Sequence, residues 1–370
     1  MKITPVGSNI TNYKINNYKI NTPKVATFEN KNSISFNGLE KLRLKMQGSK
    51  LQKEAKRNLK QADKVTIEAS KIQDRGETLL LKAQIYQELA AEVLKEILPA
   101  INVSRGFGSK INFTDLEDGI LSKTSKPLLD GGVQISEVRI DGTSRQIFVR
   151  NGKIFVNECD ETGEVKLLYI FNLFTHELNA FAKNFKGIPG YSMYDEKYSF
   201  ENGNIVSFDE NLLKNKEETY EKSLTRINFK DGEIIECVQH LENIAGLKGS
   251  LGRVFCFSDG KLYEYDEDVT KDFYTDLTSS KKRFTFEEDG SLSFCLINDK
   301  DLDETWSKFK KVFEYKNRTI EKIDLNVVDN NAAMTSKKTF YFQNGKLAYC
   351  NLKENTSTKF DTTFDRQIVF

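Results

Sequence analysis

Ile227-Asn228-Phe229-Lys230-Asp231-Gly232-Glu233-Ile234 holds the pattern on which the second half of the chain is built. It reads apolar, any, aromatic, any, Asp or Asn, Gly, polar, Ile or Leu. Other copies close on Asn202-Gly203, Asp259-Gly260, Asp289-Gly290 and Asn344-Gly345, and an earlier one on Asn151-Gly152. Asn-Gly and Asp-Gly between apolar residues signal hairpins, because a type I′ turn needs positive φ at both central positions. Two residues after the glycine stand Ile154, Ile205, Ile234, Leu262, Leu292 and Leu347. Three residues before it stand Val149, Phe200, Phe229, Phe257 and Phe342. Glu287 breaks that column, and its neighbour Phe286 predicts a one-residue bulge. A two-residue turn sets the two columns opposite each other, where an aromatic–aliphatic pair adds roughly 0.2–1 kcal/mol. A three-residue loop would oppose Phe200 to Asn204 and waste the ring.

From Gly203 to Gly290 the repeat glycines are 29, 28 and 30 residues apart. The 55 residues from Gly290 to Gly345 hold a degenerate copy, Phe313 to Ile320, with Arg318 in the glycine slot. Repeats of this length are stacked supersecondary units, and a lone hairpin is marginal in water, so each must pair with the next. Asp118-Gly119, Asp141-Gly142 and Glu161-Thr162-Gly163 extend the series upstream. The predicted fold is α+β: a long N-terminal helix and a repeated-hairpin antiparallel β-meander with a period of about 28 residues over 100–370. Residues 1–38, with Asn-Tyr-Lys-Ile-Asn twice in succession, read as a disordered low-complexity leader.

Residues 39–99 read as a long helix by propensity. Ala55, Ala62, Ala69, Gly76, Ala83, Ala90 and Ile97 recur every seventh residue, beside Asn58, Val65, Ile72, Leu79, Tyr86 and Val93. This is a coiled-coil alternation. Its partner is either a second copy of the chain, giving a coiled-coil oligomer, or the chain's own sheet. Sixty helical residues span roughly 90 Å and about fourteen strands roughly 67 Å, which favours the sheet. Charge favours it too: residues 1–99 hold 18 Lys plus Arg against 10 acids, and the remainder 37 against 44. Gly76, beside Asp74-Arg75, is the expected bend, with Gly48-Ser49 a second.

The hairpin repeats resemble MORN-type repeats and related bacterial hairpin arrays, with a longer period and without that family's glycine and tryptophan pattern. Ile34-Ser35-Phe36-Asn37-Gly38 resembles a leader near the start of uncharacterised gut-bacterial proteins. The resemblance implies a bacterial protein and supplies no catalytic residue.

The chemical inventory is poor. Cys237, Cys295 and Cys350 each fall five residues after a repeat glycine, in a column shared with Phe208 and Tyr265, so they read as packing residues. His176-Glu177 is followed by Ala180 where a zinc-binding helix needs its second histidine. No cofactor is expected. Asn298 to Glu304 alternates Asp as a calcium loop does, but Glu304 stands in the glycine position. Asp303 is expected instead to cap a short helix through Trp306 and Phe309. No transmembrane span and no signal peptide are read, so a cytoplasmic location is expected.

Five long connections, roughly 209–224, 239–252, 266–281, 298–310 and 328–338, hold apolar residues that a solvated loop does not need. Leu212, Ile244, Leu247, Phe273, Tyr274, Trp306 and Phe309 are the candidate interaction residues, with Leu213 beside them. Residues 40–64 carry nine Lys plus Arg and three acids, with Leu39, Leu42 and Met46 on one face. That stretch reads as a solvated basic face or a contact with the acidic sheet, and membrane-surface or nucleic-acid binding are the other readings. The expected function is a non-catalytic interaction or scaffold protein, partnered by another protein or by its own helix. The alternatives are a carrier of an apolar ligand between sheet and helix, or a hydrolase or transferase using loop carboxylates.

Overall fold

A computed structural model describes residues 38–106, 108–114, 116–244, 248–272, 278–303, 306–330, 333–355 and 363–370. Of the expected leader, only Gly38 lies among these, and it opens α1 (Gly38–Arg105), a helix of 68 residues. Twenty strands follow. The first six are short: β1 (Ile111–Asn112), β2 (Ile120–Pro127), β3 (Val133–Arg139), β4 (Ser144–Arg150), β5 (Lys153–Cys159) and β6 (Val165–Asn172). The long ones begin with β7 (Leu178–Ile188), β8 (Tyr191–Glu201), β9 (Asn204–Asn215), β10 (Tyr220–Lys230), β11 (Glu233–Ile244), β12 (Lys248–Ser258) and β13 (Lys261–Asp272). They continue through β14 (Thr278–Phe286), β15 (Leu292–Asp303), β16 (Trp306–Lys316), β17 (Thr319–Asn330), β18 (Ala333–Gln343) and β19 (Lys346–Asn355), and a last short strand, β20 (Thr363–Val369), follows. Every strand pairs antiparallel with the next, and among the described residues no pair joins the two ends. The sheet is an open meander.

The turns follow the residue types. Asn151-Gly152, Asn202-Gly203, Asp231-Gly232, Asp259-Gly260 and Asn344-Gly345 all have positive φ at both positions, and so do Asn317 and Arg318. Phe200 faces Ile205, Phe229 faces Ile234 and Phe257 faces Leu262, as two-residue turns require. Asp289-Gly290 differs. The Gly290 N–H donates to the Glu287 carbonyl and the Glu287 N–H to Ser291, which makes a three-residue loop and brings Phe286 opposite Leu292.

From Gly203 onward each of these hairpins carries one extra residue three positions after the glycine slot, whereas the Asn151-Gly152 hairpin keeps its register. Val206, Ile235 and Tyr263 are skipped by the ladder, since Ser199 faces Ser207, Asn228 faces Glu236 and Cys256 faces Glu264. In a regular strand, residues two and five after the glycine would point to opposite faces. The bulge puts both on one face. Ile205 and Phe208, Ile234 and Cys237, and Leu262 and Tyr265 therefore enter the same core. Within it one row of directly opposed side chains crosses the sheet from Ile135 on β3 to Ile368 on β20. Tyr198, Phe208, Ile227, Cys237, Phe255 and Tyr265 form its middle, and all are buried.

The helix lies on that row. It begins over β19 and β20, where Glu40 pairs with Arg366 at 2.6 Å, and ends over β4, where Glu96 pairs with Arg145 at 2.9 Å. The Ala stripe is buried against the chain's own sheet. One heptad rises about 10.5 Å and one hairpin is about 9.6 Å wide, so each turn of the repeat meets the next heptad. A second heptad column makes polar contacts: Glu54 with Lys311, Gln61 with Lys282, Glu68 with Arg253 and Arg75 with Glu210. A third caps the turns, for Gln52, Gln73 and Gln87 donate to the carbonyls of Gly345, Gly260 and Gly203. Arg318, in the degenerate turn, is held by Asp63 at 2.7 Å.

Gly76 is not a bend. The helix runs unbroken through Gly48 and Gly76, and a Cβ at Gly76 would sit 2.0 Å from Ile234 Cδ1. These glycines admit sheet side chains to the helix backbone. The helix also continues past Pro99, because Ala100 and Ile101 beyond it are buried in the same core. The boundary expected at residue 99 therefore shifts to Arg105.

A second backbone device crosses the longer strands. Asn211, His240, Asp268 and Asn298 stand eight residues after their repeat glycines, and Asn326 eight after Arg318. All have φ between 50 and 57°, as does Asn184 in β7. Asn, Asp and His tolerate this left-handed region better than other side chains. The ladder breaks there: Gln239 faces Arg253 and Leu241 faces Leu251, with His240 between them. The break also shifts the alternation. Val238 and Leu241 share a second apolar cluster with Leu251, Val254, Cys256 and Val269, on the side away from the helix. Beyond this line each strand forms a distal limb.

The five long connections of the sequence reading are therefore mostly strand. The polar left-handed residue interrupts the alternation that marks a strand in sequence. Residues 209–215 and 220–224 belong to β9 and β10, and the connection between them shrinks to 216–219. Trp306 and Phe309 lie in β16, not in a short helix, and 299–303 continue β15 instead of forming a calcium-type loop.

Gly76→Leu is expected to cost about 1–3 kcal/mol by overpacking Ile234, and Ile234→Ala in the same chain to restore part of it. Urea unfolding of the single and double variants measures the coupling. Gly232→Val and Gly260→Val should each lose more than about 1 kcal/mol in thermal melts, because a β-branched residue at positive φ is strained.

Candidate functional site

The outer rim of the distal limb brings together four partly exposed apolar side chains, Ile188, Tyr191, Met193 and Ile244, although Leu121, Ile140 and Phe174 elsewhere are more exposed. Pro189 and Gly190 (φ 82°) turn β7 into β8, with Ile188 facing Tyr191. Asn215 organises the next connection: its side-chain oxygen accepts from the Thr219 and Tyr220 N–H groups at 2.8 and 3.0 Å. The Lys216 N–H donates to the Gly190 carbonyl and ties the two turns together. On this frame Met193 faces Leu213, Tyr220 faces Ile244, and the Tyr191 and Tyr220 rings meet edge to face at 6.3 Å. The Tyr220 hydroxyl donates to Glu242 at 3.0 Å. Tyr191, Met193 and Ile244 each remain close to 40% exposed, at 38%, 41% and 40%. Strand alternation puts this patch on the opposite face from Leu212 and Leu241, which are buried.

Of the residues picked out by sequence, Ile244 belongs to the patch and Leu213 joins it. Leu212 is a buried residue of β9. Phe309 is half-buried in β16 opposite Val327. Trp306 opens β16 opposite Asp303. Leu247, Phe273 and Tyr274 lie outside the described residues. Sequence reasoning missed Tyr191, Met193 and Tyr220, although the alternation Tyr191-Ser-Met193 directly after Pro189-Gly190 carried the signal.

Charged side chains line the sheet face away from the helix, and several pair across or along the strands. Arg226 donates to Asp209 at 2.6 Å and to both oxygens of Glu221 at 3.0 Å, and against the opposing effect of burial these acids hold its proton firmly. Arg283 pairs with Asp266 at 2.9 Å, and Lys322 with Asp324 at 3.0 Å. Glu236 accepts from Asn228 at 2.7 Å, yet burial pushes its carboxyl up to about 7. It faces Cys256 across the ladder, in the interior of the sheet and not in a cleft.

All five cysteines are free and buried. Burial pushes the Cys237 and Cys295 thiols up to about 12 and Cys350 to about 11, away from the thiolate that a nucleophile or metal ligand needs. His176 and His240 hold positive φ, at 63 and 57°, and serve the backbone of a turn and of the strand break. Among the described residues no three His, Cys, Asp or Glu side chains converge as a metal site would require. An open groove of about 610 Å³ lies between the C-terminal part of α1 and the β6–β7 turn, lined by Ala90, Leu94, Leu98, Phe171, His176 and Leu178. Among the described residues no helix is long and apolar enough to cross a membrane. No protein-family model matches the chain, and no curated protein matches it.

Glu236 makes stability depend on pH in a defined direction. Its folded pKa of about 7 lies above the ordinary carboxylate value, so the folded state prefers the neutral form. Stability from this group is complete below about pH 4 and is lost as pH rises toward 7. Glu236→Gln is expected to raise the melting temperature at pH 8, by the equivalent of about 3 kcal/mol at most, and to change little at pH 4. Paired calorimetric melts at the two pH values measure the difference.

Proposed function

We propose that the protein is a non-catalytic interaction scaffold that presents the outer face of its distal limb to a protein partner. The observation that carries this reading is the cluster of exposed Tyr191, Met193 and Ile244 around half-buried Tyr220 on a braced pair of turns. Tyrosine and methionine are enriched at protein interfaces, and aromatic anchors dominate binding energy. The strands beneath are fixed by the helix-covered core, so the patch is preorganised and little ordering entropy is lost on docking. The poor catalytic inventory supports binding over chemistry: the thiols are protonated and the raised carboxyl of Glu236 sits outside any cleft. Buried free thiols agree with a reducing compartment, and we place the protein in the cytoplasm.

A second reading, as carrier of an apolar ligand, rests on the groove at Leu94, Leu98 and Phe171. Affinity capture from a native extract separates the two. The wild-type chain should retain a specific protein that is lost with Tyr191→Ala/Tyr220→Ala, while the melting temperature holds. Retention of the same protein by that variant would refute the distal-limb site. Co-purification of a lipid-like molecule that Leu94→Glu abolishes would favour the carrier.

A further inference from the structure

The N-terminal half of α1 sorts its charges by face. The stretch 40–64 has three acids, and all three reach the sheet: Glu40 to Arg366 at 2.6 Å, Glu54 to Lys311 at 2.6 Å and Asp63 to Arg318 at 2.7 Å. Its nine cations, from Lys41 to Lys64, are all exposed. The negative charge of the stretch is thus consumed inside the molecule, and the outward face is left basic over about 35 Å of helix. The second half of α1 has no such surplus: residues 65–105 carry five Lys plus Arg against six acids.

Three apolar side chains sit at the start of this basic face. Leu39, Leu42 and Met46 are 69%, 54% and 56% exposed. Their spacing of three and four residues places them on one side of the helix, among the cations and opposite the buried Leu44, Leu51 and Ala55. Sheet packing does not use them. An exposed apolar tip among lysines fits an interfacial surface, where apolar groups enter the acyl boundary and cations meet anionic headgroups.

We infer that this face of α1 lies on an anionic lipid surface, with Leu39, Leu42 and Met46 entering it and Lys50, Lys53, Arg57 and Lys60 meeting its headgroups. Nucleic acid fits the same charge less well. The stretch 38–64 has no aromatic residue for base stacking. The helix is also backed along its length by a sheet of strands up to 12 residues long, far wider than the ~12 Å major groove that a recognition helix enters. A flat bilayer imposes no such limit. The inference is independent of the distal-limb partner, which would dock elsewhere on the molecule.

Vesicle sedimentation with the full-length chain tests it, comparing phosphatidylserine-containing with pure phosphatidylcholine vesicles. Duplex DNA and RNA binding are measured alongside by fluorescence anisotropy. The wild type should bind the anionic vesicles, weaken with added salt and leave the zwitterionic ones free. Lys50→Glu/Lys53→Glu/Arg57→Glu/Lys60→Glu should lose at least about 100-fold in vesicle affinity, since each cation at such a surface contributes about fivefold. Leu39→Ser/Leu42→Ser/Met46→Ser should lose about tenfold or more on vesicles with duplex binding unchanged. Circular dichroism confirms the helix in both variants. Wild-type protein that ignores anionic vesicles at low salt overturns the inference. So does a serine variant that binds vesicles as the parent does, or duplex binding tighter than vesicle binding.

Discussion

The architecture depends on one geometric agreement. Seven residues of α-helix rise about 10.5 Å, and two paired strands occupy about 9.6 Å. A helix with a seven-residue pattern can therefore repeat its contacts hairpin by hairpin. Ala62, Ala69, Gly76 and Ala83 are small because the sheet's aromatic and aliphatic columns come up against the helix backbone, as Ile234 does at Gly76. The polar columns obey the same spacing. Glu54, Gln61, Glu68 and Arg75 meet sheet partners, while Gln52, Gln73 and Gln87 meet turn carbonyls. The two repeats index each other, and α1 runs against the strand order from β20 back to β4. Residues far apart in sequence must meet before the core is complete, a topology that folds slowly.

Two local backbone devices make a two-faced sheet from this repeat. From Gly203 onward, the bulge after each repeat turn brings the residues two and five beyond the glycine slot to the helix side. The left-handed residue eight beyond it, Asn211, His240, Asp268, Asn298 or Asn326, breaks the ladder and reverses the alternation. The first device builds the main core and the second creates the distal limb with its own small cluster around Val238 and Leu241. Cysteine fits the bulged column because a small apolar side chain fills the space between rings, as Cys295 does between Phe284 and Phe313.

Charge is sorted by the same logic. Cross-strand pairs such as Arg226 with Asp209 satisfy the sheet face away from the helix. In the N-terminal half of α1 the acids satisfy sheet cations and the cations are left to solvent, whereas further along Arg75 meets Glu210 of the sheet. The overall opposition of a basic front and an acidic back is therefore not what docks the helix. The local pairs have the reverse polarity, with Glu40, Glu54 and Asp63 on the helix meeting Arg366, Lys311 and Arg318 on the sheet. What remains outside is a basic helical face at one end and an aromatic patch on the distal limb, two surfaces on one rigid frame.

The repeat, the aromatic–aliphatic pairs, the long helix and the turn type everywhere but at Asp289-Gly290 were legible in the chain. Each rests on local rules: Asn-Gly and Asp-Gly tolerate positive φ, alternation marks a strand, and heptads mark a helical stripe. Even Arg318 in the glycine slot was visible as a degenerate turn. The strand ends beyond the left-handed residues were not legible as strand, because Asn211 or Asp268 in a ladder looks like the start of a loop. The candidate surface was only partly visible. Ile244 was found from its apolar character, while Tyr191 and Tyr220 needed the pairing that brings their rings together. The sequence by itself determined the units, their spacing and the faces each strand presents, since these follow from backbone preference and side-chain period. Only the tertiary structure decided where the Ala stripe goes and which charges reach solvent. A stripe records the spacing of its partner, not its identity, and a helix and a row of hairpins ask for nearly the same repeat.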